Sequence, residues 1–244
     1  MNLRSLRHHL LARLIERRPA LYLRLKGLTE HRLATDVDFL RVHARLVRSG
    51  DCVQRLPERY HLWSLARAAV GQPGAWAEAG VYRGGSAELI CAAKPAATPL
   101  HLFDTFGGMP AVAPGDGAFR PGDFADTSVA GVRARLEGSS GVEFHAGFFP
   151  DTADTPALRA TSFQFVHLDL DLYQSTLAGL EFFYPRLLPG GVLISHDYGD
   201  ATVPGVKQAF DDFLRGRPER VTPLWLTQGL LIKIGAHPHS APLA

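Results

Sequence analysis

No stretch of this chain restricts its fold more than Phe165 to Tyr198. An apolar run, Phe165-Val166-His167-Leu168, meets two carboxylates, Asp169 and Asp171. Helical spacing follows from about Ser175 to Leu188. Pro189-Gly190-Gly191 then turns the chain into a second apolar run, Val192-Leu193-Ile194-Ser195, which ends on His196-Asp197-Tyr198. Two buried strands joined by a helix make a βαβ unit, with parallel strands and a right-handed crossover. Runs this continuously apolar belong to parallel strands covered on both faces. Both strands therefore finish at one edge of the sheet and deliver acidic or imidazole side chains there. In an open α/β sheet that carboxyl edge is where ligands bind. Asp169, His196 and Asp197 are accordingly the candidate ligands of a divalent cation.

The flanking chain extends the same alternation. A helix at about Arg59 to Val70 precedes a first core strand, Ala75 to Gly80, and a second helix spans Ser86 to Ala93. A strand at Leu100 to Phe103 ends on Asp104. Thr105 to Thr127 is rich in Gly, Pro and Asp, and long loops in compact domains are often functional lids. A helix at Val129 to Leu136 and a third strand at Val142 to Ala146 lead into the βαβ unit. A helix at about Val206 to Arg215 precedes two late apolar runs, Val221 to Leu226 and Leu230 to Ile234, spaced as an antiparallel hairpin. The expected fold class is α/β: a Rossmann-like, seven-stranded, mostly parallel sheet with a C-terminal antiparallel hairpin and an N-terminal helical extension. The expected division is a helical arm or lid over 1–58, a ligand-binding domain over 59–235 and a disordered tail over 236–244.

Composition narrows the setting. The net charge of +2 gives no reason to expect nucleic acid as a partner. Met1 to Arg32 nevertheless carries eight Arg or Lys against two Glu, around leucines at helical spacing. Three readings of this basic amphipathic arm stand: a packing or dimerisation element, favouring a homo-oligomer; a substrate lid; or contact with an acidic membrane surface. Only two cysteines occur, Cys52 and Cys91, so no disulfide framework is expected. No apolar run approaches the ~20 residues that span a bilayer, and the N-terminus lacks the apolar core of a signal peptide. A cytoplasmic, soluble protein is the expectation.

The turn after the first strand, Glu78-Ala79-Gly80-Val81-Tyr82-Arg83-Gly84-Gly85-Ser86, brings glycines and a helix N-terminus towards a ligand. Its pattern is neither the G-x-G-x-x-G of dinucleotide sites nor a P-loop. Asp104 ends the next strand, where a carboxylate can accept hydrogen bonds from both ribose hydroxyls. Together these features suit a nucleoside whose cationic amino-acid part lies near Glu78.

At this point the sequence resembles the macrocin-type O-methyltransferases, the TylF-like branch of class I S-adenosylmethionine-dependent enzymes. The resemblance covers about Arg59 to Ile234. It rests on the glycine turn, on Asp104-Thr105-Phe106-Gly107-Gly108-Met109-Pro110 and on Gly147-Phe148-Phe149-Pro150-Asp151-Thr152. Asp169-Leu170-Asp171-Leu172-Tyr173-Gln174-Ser175-Thr176 and Pro189-Gly190-Gly191 leading to Asp197-Tyr198 match as well. It implies S-adenosyl-L-methionine as cofactor and methylation of a hydroxyl on a sugar-containing small molecule. Its cofactor-binding set would be Glu78, Gly80, Val81, Tyr82, Gly84 and Ser86 on the turn, Asp104 and Thr105, and Gly147 and Phe148 near adenine. It also implies Mg²⁺ held by a carboxylate of the Asp169/Asp171 pair and by the pair ending strand five. The family usually has two acids at that last position, whereas this chain has His196-Asp197; imidazole suits Mn²⁺, Fe²⁺ or Zn²⁺ better than Mg²⁺.

A sugar hydroxyl is a weak acid, so the site must supply a base, a metal or both. A divalent ion lowers the pKa of bound water from about 15.7 to about 7 in the best cases. The candidate catalytic residues are Asp169, Asp171 and His196, with Asp171 or His196 taking the proton. Plainer readings exist: Asp171 is also placed to cap the next helix, and His167 reads as a hydrogen-bonded core histidine. Asp169-Leu170-Asp171 also resembles the D-x-D of metal-dependent glycosyltransferases, although no basic diphosphate clamp accompanies it. A non-catalytic protein retaining the fold is the third alternative.

Overall fold

A computed structural model describes residues 3–28, 31–113, 116–117 and 119–235 of the chain. The tail expected to be disordered, 236–244, lies outside the described residues. Seven strands form one sheet: β1 Ala75–Ala79, β2 Leu100–Asp104, β3 Val142–Ala146, β4 Phe163–Leu168, β5 Leu187–Ser195, β6 Thr222–Pro223 and β7 Gly229–Ile232. Their order is β3-β2-β1-β4-β5-β7-β6, with β1 to β5 parallel and β7 antiparallel to both of its neighbours. The connections reverse direction between β1 and β4, which opens the ligand crevice at the carboxyl ends of those strands.

Among the described residues four α-helices precede the sheet, α1 Leu3–Arg17, α2 Pro19–Leu25, α3 Val37–Ser49 and α4 Leu56–Ala68. Five more connect its strands: α5 Gly85–Ala93, α6 Val129–Arg135, α7 Pro156–Arg159, α8 Tyr173–Phe183 and α9 Pro204–Phe213. Side chains alternate across each strand. Trp76, Leu102, Phe165 and Ile194 therefore face α3, α4 and α5, in a core that also takes in Ile15 and Leu23 of the N-terminal helices. Ala77, Phe103, Val166 and Leu193 face α8 and α9, packing on Leu180, Phe183 and Phe210.

Two local expectations need correction. Pro189-Gly190-Gly191 is not a turn between helix and strand but the irregular start of β5; Gly190 N donates to Lys233 O (2.8 Å), and Lys233 N donates to Gly191 O (2.9 Å). The late hairpin is also shorter than its apolar runs suggest. β6 has two residues, one of them Pro223, which has no N–H for the ladder.

The N-terminal helices are joined to the sheet domain by buried and half-buried polar groups. Asp36 caps α3 through Phe39 N (3.0 Å) and accepts from Trp63 Nε1 of α4 (2.8 Å). Arg59 Nη1 lies 3.3 Å from His43 Nδ1, and His43 Nε2 lies 3.0 Å from the Tyr22 hydroxyl. A guanidinium can only donate, so Nδ1 accepts and the Nε2–H points at the tyrosine oxygen. Burial, then the charges of Arg59 and Lys26, hold the His43 pKa down at about 3. The unfolded chain thus binds a proton near pH 6.5 that the folded chain refuses, so stability is complete above that value and falls as pH drops towards 3. At ~1.4 kcal/mol per unit this amounts to roughly 4–5 kcal/mol by pH 3. His43→Gln is expected to flatten the loss of Tm between pH 6 and 4; an unchanged slope in the variant would refute this.

Candidate active site

The carboxyl edge is built on a backbone contact between β1 and β4. A Cβ on Gly80 would lie 1.8 Å from the Asp169 carbonyl oxygen, and Gly80 has φ +87°. Asp169 N donates to Ala79 O (2.8 Å), and His196 N donates to Leu168 O (2.8 Å). The register Leu168↔Ser195 therefore sets Asp169 beside His196 on the adjacent strand. Tyr82 (φ 50°), Phe106 (49°), Asp171 (60°) and Asp197 (58°) adopt left-handed backbone, one after each of β1, β2, β4 and β5. Such conformations cost ~1–2 kcal/mol per residue and concentrate at functional sites.

Asp104 organises the glycine turn. Its Oδ2 accepts from Val81 N (2.7 Å) and Tyr82 N (2.8 Å), and its Oδ1 accepts from Phe106 N (2.6 Å). A carboxylate has about four acceptor positions, which leaves one for a ligand hydroxyl. The turn is fixed from outside as well: Arg83 pairs with Asp51 and Asp126, and the Tyr82 hydroxyl donates to Asp126 (2.7 Å). Thr127 Oγ1 donates to Tyr82 O.

Gly80, Val81, Tyr82, Ser86, Asp104, Thr105, Phe148, Asp169, Asp171, His196 and Asp197 line one cavity of about 280 Å³. Glu78, Gly84 and Gly147, the other members of the sequence-based set, do not line it. Glu78 faces inwards: its Oε1 lies 2.8 Å from His167 Nδ1, and burial pushes its pKa up. Gln54 Nε2 is 3.2 Å from His167 Nε2 and donates to it, so the histidine donates its Nδ1–H to Glu78. Gly84 packs on α6, where an added Cβ would meet Val132 Cγ1 at 2.8 Å.

Around His196 the charges are dense. Its Nδ1 lies 2.8 Å from Asp197 Oδ2 and 3.2 Å from Asp169 Oδ1, and its Nε2 lies 3.9 Å from Glu58 Oε2. Burial disfavours the imidazolium, but these carboxylates outweigh it and hold the His196 pKa well above the usual value. Asp169 is also buried; there the opposing charge of His196 prevails and lowers its pKa. Asp171 behaves oppositely. Burial, then the charges of Asp169 and Asp197, push its carboxyl well above the usual range.

Asp169, His196 and Asp197 each offer one ligand atom, all within 4.8 Å of one another, and His196 faces the two carboxylates through Nδ1. Two carboxylates and an imidazole suit a divalent ion of intermediate softness, which would displace the proton that these carboxylates otherwise hold on His196, so the residues fit a metal.

Sequence reasoning missed two residues. Glu58, on α4, has Oε2 bonded to Arg55 N (2.6 Å) and Oε1 to the Thr227 hydroxyl (2.8 Å). Burial opposes its charge, but His196 and these donors lower its pKa to about 2. Asp116, in the long loop, accepts from Tyr173 N (2.6 Å) and so caps α8. Asp171 is therefore not the cap of that helix.

Strand order and crevice define the Rossmann-like fold of class I methyltransferases. The chain belongs to the macrocin O-methyltransferase (TylF) family, whose model matches residues 61–222. It is 34% identical over 164 residues to the 8-demethyl-8-(2,3-dimethoxy-alpha-L-rhamnosyl)-tetracenomycin-C 4'-O-methyltransferase of Streptomyces olivaceus; the match covers 61% of this chain and spans 60% of that relative's length. The structure of the O-methyltransferase NovP superposes with a TM-score of 0.65 at 23% identity, over 76% of this chain and 83% of NovP. CalS11, a calicheamicin methyltransferase, superposes with a TM-score of 0.59 at 20% identity, over 95% of this chain and 93% of CalS11.

Proposed function

We propose that this protein transfers a methyl group from S-adenosylmethionine to a hydroxyl of a sugar or glycosylated natural product. The observation that carries this reading is one cavity holding the Gly80 turn, Asp104 and the Asp169/Asp171/His196/Asp197 cluster, in a chain of the macrocin O-methyltransferase family. The rhamnosyl 4'-O-methyltransferase relative supports a sugar acceptor. Bound S-adenosylmethionine supplies an electrophilic methyl group.

On this reading, Gly80 and the backbone after β1 receive the methionine part of the cofactor, and the free acceptor position of Asp104 takes a ribose hydroxyl. Phe148 lies on the adenine side. Asp171 is the general base: a carboxylate whose pKa is raised by burial and like charge accepts a proton more readily than a solvated one. Asp169, His196 and Asp197 would hold a divalent cation, which would polarise the acceptor oxygen. Glu58 keeps the His196 ring in place from the side opposite Asp197.

The test is calorimetric titration with S-adenosylhomocysteine. Asp104→Ala would remove both the ribose acceptor and the organiser of the turn, so Asp104→Asn is the sharper variant. It keeps an acceptor for Val81 N and Tyr82 N but sets an NH2 against Phe106 N, and is expected to weaken binding about 10–100-fold, the worth of a hydrogen bond to a charged group. Tight binding unaffected by Asp104→Asn would remove Asp104 from the cofactor site. Binding of a nucleotide sugar in place of S-adenosylhomocysteine would make the protein a glycosyltransferase instead.

A further inference from the structure

A second group of potential ligands lies away from the cavity, on β2 and β3. The register pairs His101 with Glu143 and Phe103 with His145. Alternate residues of a strand share a face, so His101, Glu143 and His145 stand together on one side of the sheet. None of them lines the cavity at the carboxyl edge. His101 Nδ1 is 3.1 Å from His145 Nε2 and 3.4 Å from Glu143 Oε2, and the three ligand atoms lie within 4.8 Å of one another. Zinc binds imidazole nitrogen and carboxylate oxygen at about 2.0–2.2 Å, and a tetrahedron of that radius has edges of ~3.3 Å. Without an ion the two separations are a hydrogen bond between the rings and an ion-pair distance, and both are close to that edge length, so little movement would be needed to seat the ion.

The rings are also held in position. His145 stacks on Phe103 with centroids 4.5 Å apart and planes 17° apart, and His101 meets Phe163 edge-on at 6.0 Å. His101 is buried, His145 is half-buried and Glu143 is exposed. The site thus has an apolar floor and opens to solvent on the Glu143 side.

We propose that His101, His145 and Glu143 bind a zinc ion, with the fourth position left to water. The ion spans β2 and β3, and among the described residues β3 is the edge of the sheet, with no strand on its other side. It fastens β3, which runs into Gly147-Phe148-Phe149. Its role is structural, and it does not depend on the function proposed for the cavity.

Zinc uptake is measured by equilibrium dialysis and by Tm on the full chain carrying Asp169→Ala and Asp197→Ala, which removes both carboxylates of the active-site set. One equivalent is expected to bind, and zinc at ~100 times its Kd to raise Tm by about 5–10 °C. Adding His145→Gln or Glu143→Gln is expected to weaken binding at least ~10-fold. Glu143 is exposed, so its replacement leaves the metal-free fold intact, which the metal-free Tm checks. Should the double variant fail to fold, the unaltered chain decides, by losing one equivalent on Glu143→Gln. No uptake by a folded double variant, or affinity unchanged by both added substitutions, would overturn the site.

Discussion

Replacing Gly80 by alanine is expected to lower Tm by about 10 °C and to remove binding of S-adenosylhomocysteine. The added Cβ would lie 1.8 Å from the Asp169 carbonyl, a backbone atom that cannot rotate away, and φ +87° is a conformation L-residues avoid. The backbone strain costs ~1–2 kcal/mol and the overlap another ~1–3. The sum is a large part of the 5–15 kcal/mol that typically holds a domain together, and each kcal/mol shifts Tm by about 2–4 °C at this size. Any relaxation that relieves the clash separates β1 from β4 and displaces both the glycine turn and Asp169. Calorimetric scans with and without S-adenosylhomocysteine measure both effects. A variant that bound normally would mean the close approach is not needed for the site.

Asp171→Asn is expected to reduce kcat about 10²–10⁴-fold, the usual contribution of a positioned general base. S-adenosylhomocysteine should bind as before. The fold should be no less stable, because the substitution removes a like charge beside Asp169 and Asp197. The pH profile separates this role from a structural one. A base works only when deprotonated, so the activity of the unaltered protein is lost as pH falls through the raised pKa of Asp171, and that acid limb disappears in the variant. Undiminished turnover in Asp171→Asn, at matched cofactor saturation, would exclude it as the base.

The sheet was legible because parallel strands buried on both faces leave continuous apolar runs, and Phe165 to Ser195 is such a pair. Register then put Asp169 next to His196, a proximity that follows from the βαβ unit itself. Glu78 is turned away from the cavity for a related reason. An acid beside a glycine turn looks ligand-facing, but the cross-strand pairing Glu78↔His167 is set by β4, far along the chain. Pro189-Gly190-Gly191 carries the same residues whether it is a turn or an irregular strand start, and only its partner Lys233 decides between them. Glu58 and Asp116 left almost no local signal. Glu58 reads as an ordinary acid in the first turn of a helix, and Asp116 as one polar residue in an irregular loop. Their importance comes from His196 and Tyr173, which tertiary structure alone brings near.

The long connection after β2 is fastened at several separate points. Asp116 grips the start of α8, Thr127 and Asp126 grip the glycine turn, and Met109 and Gly122 bond to each other across its middle (3.0 Å). Met109, Pro110, Phe119 and Phe124 project from it into the cavity without belonging to the sheet. The connection has the layout of an exchangeable cassette, with its lining held between anchors that belong to other residues. On the proposed function, libraries confined to Met109, Pro110 and Phe119 are expected to vary which hydroxylated molecule is admitted, whereas Phe124 packs edge-on against Tyr82 of the glycine turn and is best kept.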